Sequence, residues 1–231
     1  MNWASPRSLR GQVLIDQIQK LEPDVAIFTE AKVSWLEKLG GHLALAAADY
    51  GYESSPDRRK VAIWSSKKIL STDTLGSDVL PSGRYVQGQT HGITVVGLCI
   101  PWRDAHVRTG RRDKVIWQDH RTYLRGLQQL PCLGERKLVV AGDFNQRNPR
   151  YRQPSDLFDA LSNVFEHLDW LTLGDIYPLE KLSIDHILIS KEMQAGITRG
   201  LSNHDGAQLL SDHFGVFSDI SHSQAKVTPQ R

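Results

Sequence analysis

The sequence predicts an α/β layered sandwich rather than a doubly wound parallel sheet. Segments with strand character outnumber long helical ones, and they come in pairs without steady β–α alternation. The link inside the strand pair at 84–99 is short and hairpin-like, which favours mixed or antiparallel sheets covered by helices. A chain of 231 residues with 40% hydrophobic content can bury one sizeable core. No repeat, linker-like segment or convincing boundary divides it, so residues 1–220 are expected to form a single domain, with 221–231 a polar C-terminal tail.

The elements follow in order. From Arg10 to Leu21, Val13, Leu14, Ile18 and Leu21 recur at helical spacing, and Pro23 closes the helix. Asp24 to Glu30 is a short apolar strand ending in a carboxylate. Residues 34–47 read as a helix carrying Trp35, Leu36 and Leu39, followed by an Ala-rich segment. Tyr50-Gly51-Tyr52 and a basic turn at 56–60 lead into a strand, Val61 to Ser66. Tyr85 to Gln87 alternates, Ile93 to Ile100 is nearly continuous, and Pro101 stops it. Residues 102–114 form a polar, Arg-rich loop, the kind of connection that often carries function. Helical spacing resumes near 115–130, and a further helix is expected near 155–167.

Between those helices lies Val139-Val140-Ala141-Gly142-Asp143-Phe144-Asn145, the stretch around which the rest is organised. Its β-branched run drives a buried strand, and Gly142 is expected to let the backbone turn sharply at its end. Asp143 and Asn145 emerge two residues apart, on one side of an extended chain. Asp143 can grip a metal or a water proton, and Asn145 can hold a phosphate oxygen or a water without adding charge. The plain alternative is a polar turn after a core strand. The strand Leu182 to Ser190 is interrupted by Asp185 and His186, and Ser211-Asp212-His213 is a turn entering the last strand.

Asp185 is costly to bury bare and needs a partner. His213 is one candidate and His186 another, but His186 follows Asp185 directly and on a strand points to the opposite face. The alternative is that Asp185 bonds local backbone amides. Glu30 could likewise be a surface residue opening the next helix.

Composition narrows the classes. The 28 basic and 26 acidic residues leave a formal charge of +2, no strong electrostatic argument for or against a nucleic-acid partner. Basic residues cluster at Arg58-Arg59-Lys60 and at Arg103, Arg108, Arg111, Arg112 and Lys114. Cys99 and Cys132 are too few for a disulfide framework and lack metal-pair spacing, and both read as core residues. With no apolar run long enough to span a bilayer and no signal-peptide pattern, a soluble, cytoplasmic protein is expected.

Pro23-Asp24-Val25-Ala26-Ile27-Phe28-Thr29-Glu30, Gly142-Asp143-Phe144-Asn145, Ile184-Asp185-His186-Ile187 and Ser211-Asp212-His213 together resemble the ordered motifs of the endonuclease/exonuclease/phosphatase superfamily, which includes exonuclease III-like and deoxyribonuclease I-like enzymes. Val61 to Ser66 is similar to the family's G-V-A-I-L-S strand without its glycine. The resemblance implies a four-layered α-β-β-α sandwich of two mixed, largely antiparallel sheets flanked by helices, with the active site at one rim. It implies a divalent-metal-dependent phosphodiester hydrolase using Mg²⁺ or Mn²⁺, with Glu30, Asp212 and Asn2 near the metal. Asp143 would activate the water, Asn145 would hold it or a phosphate oxygen, and His213, oriented by Asp185, would bind the scissile phosphate or act in acid/base catalysis. Family members usually carry a strand before the asparagine that Asn2 matches, so that strand is expected to lie upstream of Met1 or to be missing. Where nucleases carry a Tyr or His, this chain reads Cys99-Ile100-Pro101-Trp102. That shifts substrate contacts toward Trp102 and Arg103, although Arg103 and its neighbours could equally be a solvated basic loop. Nucleic acid is the favoured substrate; a small-molecule or lipid-derived phosphate and a catalytically weak binding protein are the alternatives.

Overall fold

The computed structural model describes residues 1–52 and 55–222. Most of the expected polar tail, 223–231, lies outside the described residues. Helix α1 (Leu9–Lys20) precedes β1 (Val25–Lys32), the single-turn α2 (Val33–Leu36), β2 (His42–Leu45), β3 (Arg58–Ser65), β4 (Leu70–Asp73), β5 (Tyr85–Thr90) and β6 (Ile93–Cys99). A long connection leads to α3 (Gln118–Leu127), β7 (Leu138–Asp143), α4 (Ser155–Val164), β8 (Leu168–Trp170), β9 (Asp175–Ile176), β10 (Lys181–Leu182) and β11 (Asp185–Ser190). Short ribbons close the chain: β12 (Met193–Ala195), β13 (Arg199–Leu201), β14 (His204–Asp205), β15 (Gln208–Leu209), β16 (Gly215–Phe217) and β17 (Ile220–His222). Ser221 and His222 therefore belong to a strand rather than to a tail.

Two sheets stack between two helical layers. One has the order β1-β3-β2; the other runs β4-β5-β6-β7-β11-β8. Among the described residues, every pairing within these two sheets is antiparallel except β6 with β7. Val61 and Ile63 of β3 meet Val86, Val95 and Cys99 of the larger sheet in the central core. Beside them, Val139, Ala141, Ile187 and Ile189 pack under Val216 and Ile220, so the ribbons β13–β16 and β12–β17 cover the larger sheet where the smaller one ends. Leu14 of α1 packs with Phe28, Trp35 and Ala62 on one outer face. Tyr123, Leu124 and Leu127 of α3 and Leu157 and Leu161 of α4 cover Val96, Leu138, Val140 and Leu188 on the other. The four-layered α-β-β-α sandwich is thus present, each sheet buried on both faces and its apolar runs explained by that burial.

Local chemistry fixes the ends. Ser8 caps α1, its hydroxyl accepting from Gly11 N at 3.1 Å. Gly11 carries no side chain because a Cβ there would lie 1.9 Å from Ser5 O, and its carbonyl accepts the Trp35 indole N–H at 2.9 Å. The expected helix over 34–47 is corrected. After α2 and one 3₁₀ turn, Gly40 and Gly41 both take φ of 69°, and His42 to Leu45 then pair with β3 as a strand. The glycines end the helix in a conformation that other residues enter with difficulty, and His42 to Leu45 becomes a strand through packing rather than intrinsic preference, while Ala46 to Ala48 fall outside regular structure.

Candidate active site

The topology alone draws the polar residues together. β6 is parallel to β7 and β11 antiparallel to it, so the end of β6, the end of β7 and the beginning of β11 share one rim. The registers place Cys99 beside Asp143 and Asp143 beside Asp185. Gly142 makes this possible in a way the sequence reading did not foresee. It stays in the ladder with φ of 138°, and a Cβ would come within 2.0 Å of Leu98 O. The chain turns later, at Asn145, whose φ is 53°.

Asp143 is buried, and Asn145 binds it twice. The Asn145 backbone N–H donates to Oδ1 and its side-chain Nδ2 to Oδ2, both at 2.9 Å, while Nδ2 also donates to Ile100 O at 2.9 Å. Across the rim, Asp185 Oδ2 lies 3.0 Å from His213 Nδ1. Asp143, Asp185 and His213 bring one potential ligand atom each within 4.8 Å of one another. His186 faces the other way, into the core: its Nε2 lies 2.9 Å from Gln146 O and its Nδ1 2.7 Å from Thr172 Oγ1. Gln146 is gripped from its other end, Nε2 donating to His120 Nε2 at 2.7 Å while His120 Nδ1–H donates to Pro101 O at 2.7 Å. The turn carrying Asn145 is thereby fixed from below by two buried histidines, with Phe144 wedged among Phe165, Trp170 and His186.

The electrostatics follow from this crowding. Burial first, and then the facing Asp185 carboxylate, push the Asp143 carboxyl up to about 7, against the opposing pull of His213. Burial pulls the His213 imidazole down, but the Asp185 contact and the charges of Asp143 and Asp212 outweigh it and hold the group up at about 9. Burial also pushes the Cys99 thiol up to about 12, so it stands beside Asp143 as a neutral group.

Glu30, Asp212, Asp143, Asn145 and His213 line one open cavity of about 260 Å³. Glu30 ends the regular part of β1 with φ of 52°, between the pairs Thr29 with Val61 and Ala31 with Arg59, and its carboxylate accepts from the Lys60 ammonium of β3. Asn2 is not among the lining residues. It and Trp3 take φ of 46° and 55°, the segment crosses the end of β1 through Met1 N to Thr29 O and Trp3 N to Glu30 O, and Met1 reaches the cavity instead. Trp102 lines the cavity and is 44% exposed. Arg103 is exposed, its Nε bonds Asp104 Oδ2 at 3.0 Å, and it is not among the residues that line the cavity. Thr109 of the same loop does line it, as does Arg84, only 2% exposed, whose Nη1 donates to Cys99 O at 3.3 Å and whose Nη2 has no hydrogen-bond partner.

Lys60 and Arg84 are the residues that sequence reasoning missed. The signals were a lysine where the resembling strand has glycine, and an arginine placed directly before an apolar strand. The hard anionic oxygens of Glu30 and Asp212, sharing a cavity with Asp143, suit Mg²⁺ or Mn²⁺ in charge and donor type.

Comparison with known proteins agrees with this architecture. The profile of the Endonuclease/Exonuclease/phosphatase family matches residues 2–213. The chain belongs to that family. Family members are hydrolases acting on phosphate esters. An AP endonuclease from Archaeoglobus fulgidus is similar in structure, with TM-score 0.70 and 18% identity, covering 94% of this chain and 96% of that one. The 3' phosphatase NExo from Neisseria, solved with a product DNA hairpin, has TM-score 0.66 and 19% identity over 95% of this chain and 97% of its own. TDP2 of D. rerio, solved with a single-strand DNA product, has TM-score 0.58 and 14% identity over 92% and 91%. At these identities the likeness concerns the family fold. No curated protein matches the sequence. Among the described residues, no helix is long and apolar enough to cross a membrane.

Proposed function

We propose that this family member is a divalent-metal-dependent phosphodiester hydrolase acting on nucleic acid. The observation that carries the proposal is the cluster of Asp143, Asp185 and His213 within 4.8 Å, opening on a cavity with Glu30 and Asp212. Asp143, raised to about 7, is matched to take a proton from water near neutral pH, with Asn145 fixing both of its oxygens. His213, held as an imidazolium by Asp185, presents positive charge and a proton to a phosphate oxygen. Arg84, buried and with an unpartnered Nη2 in the cavity lining, adds a further cation suited to phosphate. Glu30 and Asp212 would hold Mg²⁺ or Mn²⁺, which when bound neutralises charge on the non-bridging oxygens.

Nucleic acid is favoured by what surrounds the cavity. Arg108, Arg111 and Arg112 are exposed on the loop beside Trp102, and Tyr151, also exposed, lies under the guanidiniums of Arg147 and Arg152 at 5.5 and 5.0 Å. Exposed rings between cations suit a phosphate backbone with stacked bases. The relatives that bind DNA hairpins or single-strand product support the same reading.

The test is hydrolysis of bis-p-nitrophenyl phosphate, plasmid DNA and single-stranded oligonucleotides in Mg²⁺ and Mn²⁺, with and without EDTA. His213→Ala is expected to lower kcat by about 10²-fold or more. Activity that persists undiminished in EDTA, or in folded His213→Ala, would refute the proposal. Preference among the substrates separates a nuclease from an enzyme of small phosphate esters.

A further inference from the structure

Lys60 stands where the cavity's chemistry least invites a cation other than a metal. It lies on β3, the central strand of its sheet, opposite Glu30 between the pairs Thr29 with Val61 and Ala31 with Arg59. Its ammonium binds Glu30 Oε1 directly, and its side chain is 14% exposed against 29% for Glu30. Three rings enclose it: Nζ lies 5.4 Å from the centre of Trp3, 5.5 Å from Tyr50 and 5.9 Å from Tyr52. Each distance is within cation–π range, and partial burial strengthens such contacts. Trp3 and Tyr50 in turn stack at 6.2 Å, and Tyr52 packs on His106 at 4.3 Å, so the enclosure is itself supported.

We propose that Lys60 is a built-in counter-ion of Glu30 that competes with a divalent cation for that carboxylate and so weakens metal binding. The inference rests on the proposed metal role of Glu30. A carboxylate that already accepts a charge-assisted bond from a caged ammonium gives up that bond, or shares it, when a second cation arrives. The two cations also repel each other across a few ångströms in a site of reduced dielectric. Removing the ammonium therefore frees Glu30 and removes the repulsion together. Arginine at 60 would preserve the positive charge. Methionine and glutamine, of similar length, would not.

The experiment is isothermal titration of Mn²⁺ into the substrate-free protein, which reads metal affinity independently of hydrolysis. Wild type, Lys60→Met, Lys60→Gln and Lys60→Arg are compared, each alone and with Glu30→Gln added, and thermal unfolding confirms that every variant is folded. Lys60→Met and Lys60→Gln are expected to bind Mn²⁺ at least about tenfold more tightly than wild type, with Lys60→Arg close to wild type and Glu30→Gln abolishing the gain. Equal or weaker binding by folded Lys60→Met, with Glu30→Gln still abolishing binding, would overturn the competition while leaving Glu30 a metal ligand. Tighter binding that survives Glu30→Gln would overturn it by removing Glu30 from the metal site altogether.

Discussion

Replacing Asp143 by asparagine should remove activity and add stability, with a sign that reverses with pH. The folded chain raises this carboxyl from 3.8 to about 7. An acid whose folded pKa lies above its unfolded value keeps its proton longer in the native state. Stability from this group is therefore greatest below about pH 4, falls as pH rises to about 7, and stays low above. Each pKa unit corresponds to about 1.4 kcal/mol, so roughly three units amount to a penalty on the order of 4 kcal/mol at alkaline pH. Asparagine carries no charge and escapes it. The Asn145 side-chain donor that now reaches Oδ2 at 2.9 Å would instead meet an amide nitrogen, a loss of about 1 kcal/mol. The expected balance is a gain on the order of 2–3 kcal/mol near pH 8, shrinking and then reversing toward pH 4. Urea unfolding of both proteins in EDTA across this range reads it directly. A stability difference that does not change with pH, or a destabilised variant at pH 8, would refute the account of Asp143 as a carboxylate raised by burial and by Asp185.

Further outcomes follow from the same geometry. Asp185→Asn removes the 3.0 Å partner of His213, so the imidazole should fall from about 9 toward its ordinary 6.5, visible as a displaced ring-proton titration by NMR; a midpoint still near 9 would count against the pair. The raised His213 pKa adds stability that is complete below about pH 6.5 and lost as pH rises through 9. The advantage of wild type over Asp185→Asn should narrow across that window. Phe144→Ala empties a fully buried position among Phe165, Trp170 and His186 and should destabilise by about 3–5 kcal/mol in urea unfolding. A loss under about 1 kcal/mol would mean that this aromatic wedge does not secure the turn.

Much of the sandwich was legible because long apolar runs have few destinations. β1, β6, β7 and β11 overlap the apolar runs read from the sequence, since burial on both faces favours continuous Val, Ile and Leu, and β5 overlaps the alternating Tyr85 to Gln87. The failures lie where the pattern is short or where packing overrides preference. β4 and β8 are only four and three residues long and give no periodicity to read. β3 begins at Arg58 rather than Val61, so Lys60 read as part of a basic turn when it is a strand residue aimed at Glu30. The carboxylates and His213 stood out because ionisable groups at the ends of apolar strands require partners. Arg84 and Lys60 did not, because basic residues near turns are ordinarily surface residues. Arg103 drew attention for its neighbours and turned out to bond the adjacent Asp104.

The lone parallel step between β6 and β7 has an architectural corollary. Antiparallel neighbours can be joined at one end, but two strands running the same way oblige the chain to return across the whole sheet before the second can start. That return leaves from Cys99, at the rim with Asp143, and reaches β7 only at Leu138, after carrying Trp102, Thr109 and the exposed arginines past the cavity mouth. Its first half is tied to the body through buried Ala105 and His106, the His106 backbone N–H donating to the Tyr52 hydroxyl at 3.1 Å, while Arg108, Arg111 and Arg112 stay exposed. Recharging its exposed residues, Arg108, Arg111 and Arg112, would alter the charge beside the cavity while leaving the strand ladder beneath unchanged. On the proposed reading, the exposed arginines that would meet a substrate and the acid/base set thus come from separate stretches of the polypeptide, so the first can be varied while the second is kept.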